Sequence, residues 1–136
     1  MRALDDLVRQ GKVRAIGCSN LPAWQVVEAQ WISRSRNLAA FVSCQDEYSL
    51  LQRKAEAEMI PALRAHGMGL VPYFPLASGL LTGKYDASGT DPDKGPKGAR
   101  ISSYESVRQQ RWGRPAALEA ARRYNALALS QGLTPT

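Results

Sequence analysis

Three short clusters in this chain bring together side chains suited to chemistry: Cys18-Ser19-Asn20, Gln45-Asp46-Glu47 and Tyr73-Phe74-Pro75. Each closes an apolar run of strand length. Ser19, Asn20 and Gln45 carry neutral donors and acceptors, which suit an amide such as a nicotinamide carboxamide. Tyr73 adds a flat face for a ring. The plainer role for each polar residue is to cap the helix that follows it. Their recurrence at equivalent places along the chain favours one shared site instead.

A fourth stretch, LASGLLTGKY at residues 76–85, combines small residues, backbone N–H groups and Lys84, the ingredients of a pyrophosphate cradle. It is not a P-loop, because three residues rather than four separate Gly79 from Gly83, and Tyr85 follows Lys84. No GxGxxG run occurs. His66 before Gly67 suits a helix C-terminus, where the dipole favours a cation. Cys18 and Cys44 each precede a polar strand-end residue, so alternation points them at the helical layer as buried free thiols. No His and Cys cluster has metal-ligand spacing, so no metal site is expected. Glu56 and Glu58 read as a solvated helix face. Arg108, Arg111 and Arg114 recur at three-residue spacing, but without interleaved exposed aromatics they do not predict nucleic-acid binding.

Periodicity supplies the elements that hold these clusters. Residues 3–10 place Leu4, Leu7 and Val8 on one helical face, and Gly11 stops the helix. Residues 13–19 read as a strand. A helix over residues 22–34 follows, with Pro22 just inside it, Asn20 as a candidate cap, and Val26, Val27, Gln30 and Trp31 near one stripe. Residues 41–48 read as the second strand and 53–67 as a helix, which Pro61 must kink or start. Residues 69–75 read as the third strand, although Pro72 is unfavourable at a central position. Residues 77–103 look too polar for core and predict a long loop, flexible over 86–103. Helices are expected over 104–112 and 115–131. Val13 to Phe41 and Phe41 to Gly69 are both steps of 28 residues, a βαβ repeat length. A barrel and an open doubly wound sheet both fit that period.

Composition narrows the class. With 136 residues and 44% hydrophobic side chains the chain has the size of one domain and is too apolar to be disordered. Its apolar runs are far shorter than the ~20 residues of a membrane span. No basic-then-apolar leader follows Met1, and two cysteines do not make a disulfide scaffold, so a cytoplasmic protein is expected. The net charge of +6 is diffuse: residues 1–83 carry +2 and residues 84–136 carry +4. That bias toward the second half suits the phosphates of a small cofactor or of a polynucleotide, and composition does not choose between them.

Taken together, ALDDLVRQGKVRAIGCSN, FVSCQDEYSLLQR and GLVPYFPLASGLLTGKY resemble the second half of the aldo-keto reductases. The likeness is to the branch that holds bacterial general oxidoreductases and the potassium-channel β subunits, and it covers nearly the whole chain. It implies an α/β fold, a TIM (β/α)8 barrel of which this chain would supply roughly strands five to seven with their helices. It also implies NADPH binding. Ser19, Asn20 and Gln45 match residues near the nicotinamide amide, and Tyr73 matches the aromatic that stacks on the nicotinamide ring. Phe74, Pro75, Leu76, Ala77 and Ser78 match the loop that wraps the pyrophosphate. Lys84 and Arg100 match basic residues that meet cofactor phosphates. Asp46 departs from the Asn common in relatives and adds a charge beside the amide pocket.

The resemblance implies no catalytic residue here. The family's Asp, Tyr, Lys and His tetrad comes from the first four strands, and Tyr48 and Lys84 match other positions. A TIM barrel needs ~250 residues. The expectation is therefore a cytoplasmic C-terminal-half fragment over residues 1–136, inactive alone, from an NADPH-dependent reductase of aldehydes or ketones. Its partners would be a small carbonyl substrate in the parent and other copies through open barrel edges, with no nucleic acid and no membrane. A redox-sensing accessory subunit resembling the potassium-channel β subunits, or a truncated product without function, remains an alternative.

Overall fold

The computed structural model describes residues 1–91, 93–107 and 112–135. They form two compact units, the first made of Met1–Tyr48 and Arg53–Tyr73, the second of Ser49–Gln52 and the chain from Phe74 onward.

The first unit opens with helix α1, Arg2–Arg9. Its best-buried side chain is Asp5, whose carboxylate accepts the Ala39 N–H at 2.7 Å and pairs with Arg9. Gly11, at φ +68°, ends the turn as expected. The Val13 N–H still bonds Leu7 O at 3.3 Å, so strand β1 starts later than expected and covers Ile16–Ser19. The two repeat steps are therefore unequal. Helix α2, Ala23–Ser35, has Pro22 at its N-cap with no side-chain cap. Its inner face is Val26, Gln30 and Ser33, and Gln30 Nε2 donates to Phe41 O at 2.9 Å. Val27 and Trp31 do not join that face: Trp31 is 68% exposed, together with Trp24 and, less so, Val27. The inner positions at i, i+4 and i+7 leave those three residues on the flank of the helix.

Strand β2 covers Phe41–Glu47 and β3 covers Gly69–Tyr73. Between them, residues 53–67 split into a 3-10 turn, Lys54–Glu56, and helix α3, Met59–Ala65. Pro61 lies in the first turn of α3, where its missing N–H is harmless, so it marks the true start. His66 is the C-cap residue of α3. The three strands are parallel in the order β1-β2-β3. Cys18 pairs with Cys44 and Ser19 with Gln45, after a register shift between Ile16 and Gly17. Glycine is required at 17, because a Cβ there would lie 2.6 Å from Ser43 Oγ and 3.0 Å from Ser43 O. β3 lies at an edge of this sheet, which is where Pro72 is tolerated.

One face of the sheet packs on the helices. Phe41, Cys44, Val26, Met59, Leu63 and Met68 are buried there, with Ile16, Cys18 and Leu70 against them. Ile16 thus faces the helical layer. On the other face Val42 and Val71 are 54% and 47% exposed.

The second unit corrects the expectation that residues 77–103 are too polar for core. Ala77, Leu80, Leu81, Tyr85, Ala99 and Ile101 are buried there with Trp112 and Ala121. The apolar residues are few, but two short helical segments gather them: the 3-10 turns of Ala77–Thr82 and helix α4, Arg100–Ser103. Helix α5, Glu105–Val107, follows a break at Tyr104. The rest of the helix expected over 104–112 and the positions of Arg108 and Arg111 lie outside the described residues. Helix α6, Pro115–Ser130, has Pro115 in its first turn and buries Ala121 and Asn125, while Leu127 and Leu129 are each 62% exposed. Asn125 Nδ2 reaches both carboxylate oxygens of Asp86, at 3.0 and 2.9 Å. Among the described residues no helix is long and apolar enough to cross a membrane.

Candidate cofactor-binding site

In the first unit, parallel pairing brings the strand-end residues to one rim. Ser19, the last residue of β1, is the register partner of Gln45, which lies two residues before the end of β2. Tyr73 ends β3 opposite Glu47. Asn20 takes the turn that leaves β1, at φ +55°, a left-handed conformation that Asn tolerates better than most residues. Its N–H donates to Gln45 O at 3.2 Å, extending the ladder by one residue.

The side chain of Asn20 does not cap α2. Its Nδ2 donates to Ser19 Oγ at 2.9 Å, and its Oδ1 accepts the Tyr73 hydroxyl at 2.8 Å. A hydroxyl, an amide and a phenol thus form one chain across the rim, with the exposed Gln45 alongside. Asp46, the next residue on β2, turns its Oδ1 onto the Glu47 N–H at 2.8 Å.

Below the rim, Cys18 and Cys44 are free thiols on the helical side. Burial, then the neighbouring Cys18, push the Cys44 thiol up to about 12, so it is no nucleophile at neutral pH. Tyr48 is equally unsuited to proton transfer. Its hydroxyl donates to Glu56 at 2.7 Å, and Arg53 clamps the same carboxylate with two bonds of 2.8 Å. The bond to Glu56, with burial, raises the phenol above its ordinary value.

In the second unit, residues 74–84 form a tight cationic loop. Phe74, Ala77, Ser78, Gly79 and Gly83 all have positive φ. The Gly79 N–H donates to Leu76 O at 2.9 Å, and Thr82 Oγ1 donates to Gly79 O at 2.8 Å. Gly79, in the stretch singled out as a pyrophosphate cradle, takes φ +92°, and a Cβ there would meet Lys84 Nζ at 2.8 Å. Ser78 Oγ is buried with no hydrogen-bond partner among the described residues. The Lys84 ammonium lies 5.4 Å from the centroid of the Tyr85 ring, and the Arg100 guanidinium 5.5 Å from that of Phe74. Pro75 and Leu76 are exposed, whereas the side chain of Ala77 is wholly buried in this unit's core. The Lys84 and Arg100 cations, each beside a ring of this unit, supply the charge that an anion would need. Among the described residues no three His, Cys, Asp or Glu side chains gather as a metal site.

The model of the Aldo/keto reductase family matches residues 1–136. The chain belongs to that family. It is 46% identical over 88 residues to a putative aryl-alcohol dehydrogenase of Schizosaccharomyces pombe, an alignment covering 65% of this chain and 25% of that protein. It is 48% identical over 82 residues to the uncharacterized oxidoreductase YrpG of Bacillus subtilis, covering 60% of this chain and 25% of the relative. It is 41% identical over 81 residues to the versiconal hemiacetal acetate reductase of Aspergillus parasiticus, covering 60% and 24%. The chain thus matches about a quarter of the length of each of these curated relatives. The three parallel strands with their helices are consistent with part of a barrel.

Proposed function

We propose that the chain is the cofactor-side part of an NADPH-dependent aldo-keto reductase acting on aldehydes or ketones, built as part of a TIM barrel. The observation that carries this reading is the assembly of Ser19, Asn20, Gln45 and Tyr73 at one end of a parallel sheet, where α/β folds place their sites. The Ser19 hydroxyl and the Gln45 amide hold the carboxamide of the ligand, and the Tyr73 ring offers its face to the nicotinamide. Lys84, Arg100 and the Ser78 hydroxyl, with the backbone from Phe74 to Ser78, receive the phosphates. The cofactor, when bound, supplies the hydride.

Among the described residues neither Tyr48 nor Lys84 is placed to serve as the proton donor of the reaction. Tyr48 is committed to Glu56, and Lys84 to the phosphate loop. The chain alone therefore turns over no carbonyl and, holding the cofactor from one side only, binds NADPH weakly. The test is an amide NMR titration of the 136-residue chain with NADPH to millimolar concentration, alongside a spectrophotometric assay with an aromatic aldehyde. Shifts at Ser19, Gln45, Tyr73 and Lys84 without NADPH oxidation are expected. Lys84→Ala should weaken binding about tenfold, as loss of a charge-assisted contact does. Shifts confined to other residues, or reproducible turnover, would refute the reading.

A further inference from the structure

The chain has two cysteines and three methionines, and all five side chains lie in or against the core on the helical side of the sheet. Methionine is a common core filler, so that gathering alone shows only packing. Three of the five converge more closely. Cys18 and Cys44 are register partners on neighbouring strands and face the same layer. The Cys44 thiol donates to Sδ of Met59, in the first turn of α3, at 3.9 Å. The Cys18 thiol lies within hydrogen-bonding reach of Cys44 and donates to Ser43 O at 3.7 Å. Cys44 and Met59 are buried, whereas Cys18 is only half-buried and leaves a route in from solvent.

We infer that Cys18, Cys44 and Met59 form a binding site for one soft monovalent metal ion, Cu(I). Two thiols and a thioether are a donor set that selects such an ion over harder ones. Among the described residues His, Cys, Asp and Glu alone gather no such group, and the thioether supplies the third ligand. The ligands come from three elements, which is why spacing along the chain does not reveal them. Three sulfurs held about 2.3 Å from one metal in a trigonal plane lie about 4 Å apart. The 3.9 Å between Cys44 and Met59 already matches one edge of that triangle. A disulfide fits less well. Neighbouring strands lie about 4.8 Å apart, and side chains perpendicular to the sheet hold their Cβ atoms near that spacing. A disulfide needs roughly 3.5–4.5 Å between them. A metal ion spans the wider gap, and as it binds both thiol protons leave to the buffer. The bridge ties β1, β2 and α3 together, and the inference does not depend on the cofactor reading above.

The test is an anaerobic titration of the 136-residue chain with Cu(I), in competition with a chromophoric Cu(I) chelator, followed by X-ray absorption at the copper edge. One ion per chain with three sulfur neighbours is expected. Met59→Leu keeps the core volume and should leave two sulfurs on the metal. It should weaken binding at least about tenfold, since even changes outside the ligand shell cost that much. Cys18→Ser, at the half-buried position, should weaken it further, and Met68→Leu should change nothing. Zn(II), which takes four ligands, should bind the wild type far more weakly than Cu(I). Three sulfurs persisting in Met59→Leu, wild-type affinity in Cys18→Ser, or an equal loss in Met68→Leu would overturn the proposal. So would Zn(II) binding as tight as that of Cu(I), or a wild-type chain that takes up no Cu(I) or several ions. Should Cys18→Ser fail to fold, the contrast between Met59→Leu and Met68→Leu decides: equal affinities would sink the site.

Discussion

Asp5 shows how one carboxylate can organise a helix end. The Ala39 N–H and then Arg9 hold it below the usual carboxylate range. A group whose folded value is depressed contributes stability above its unfolded value, and that stability is lost as pH falls through the folded one. Asp5→Ala should therefore unfold at lower urea concentration than the wild type at pH 7, and the gap should narrow as pH falls from the ordinary carboxylate range through the depressed value. A gap that does not narrow on acidification would show that the carboxylate charge is not what matters. At Tyr48 the sign is reversed, since Glu56 holds the phenolic proton in place. Glu56→Gln should bring that phenol back toward the ordinary tyrosine range in an ultraviolet titration, and Tyr48→Phe identifies the transition.

Two elements carry steric demands with measurable consequences. β1 approaches β2 so closely at Gly17 that any side chain meets Ser43. Gly17→Ala should cost about 1–3 kcal/mol by overpacking. Adding Ser43→Gly should restore only part of it, because Ser43 O stays 3.0 Å from the new methyl position. In the second unit Leu80 is wholly buried within the 3-10 turns that bear the phosphate loop. Leu80→Ala should cost about 2–5 kcal/mol by urea denaturation. The same change should weaken 2′,5′-ADP binding, because the backbone of residues 77–79 rests on that core.

For the molecule as a whole, the decisive feature is the sheet face opposite the helices. Val42 and Val71 are about half exposed there, and on α2 Trp24 and Trp31 are about two-thirds exposed. Covering a valine recovers about 1.5–3 kcal/mol, which is large beside the ~5–15 kcal/mol net stability of a typical domain. The chain should therefore associate as its concentration rises, despite its net charge of +6. Sedimentation velocity should show this, and Val42→Lys with Val71→Lys should return it to monomer. A sharp, concentration-independent unfolding transition in a wild-type monomer would contradict this expectation.

Local information sufficed where the relevant forces are local. Strand starts at Phe41 and Gly69, the stop at Gly11 and the start of α3 near Pro61 follow from alternation, left-handed glycine and the missing proline N–H. Ser19 and Tyr73 were legible as strand ends for the same reason, whereas Gln45 lies two residues before the end of β2 and comes level with Ser19 through the pairing of the strands. Sequence periodicity failed where packing chose the face: it put Val27 and Trp31 inward on α2, yet the buried stripe runs through Val26, Gln30 and Ser33. It failed again over residues 77–103, where a handful of apolar side chains separated by polar ones form a core only after the chain turns back on itself. The use of Asn20 was the least legible of all. A helix cap and a hydrogen bond to Tyr73 require the same residue type, and the choice depends on a hydroxyl that comes within 2.8 Å only when β3 is laid beside β2.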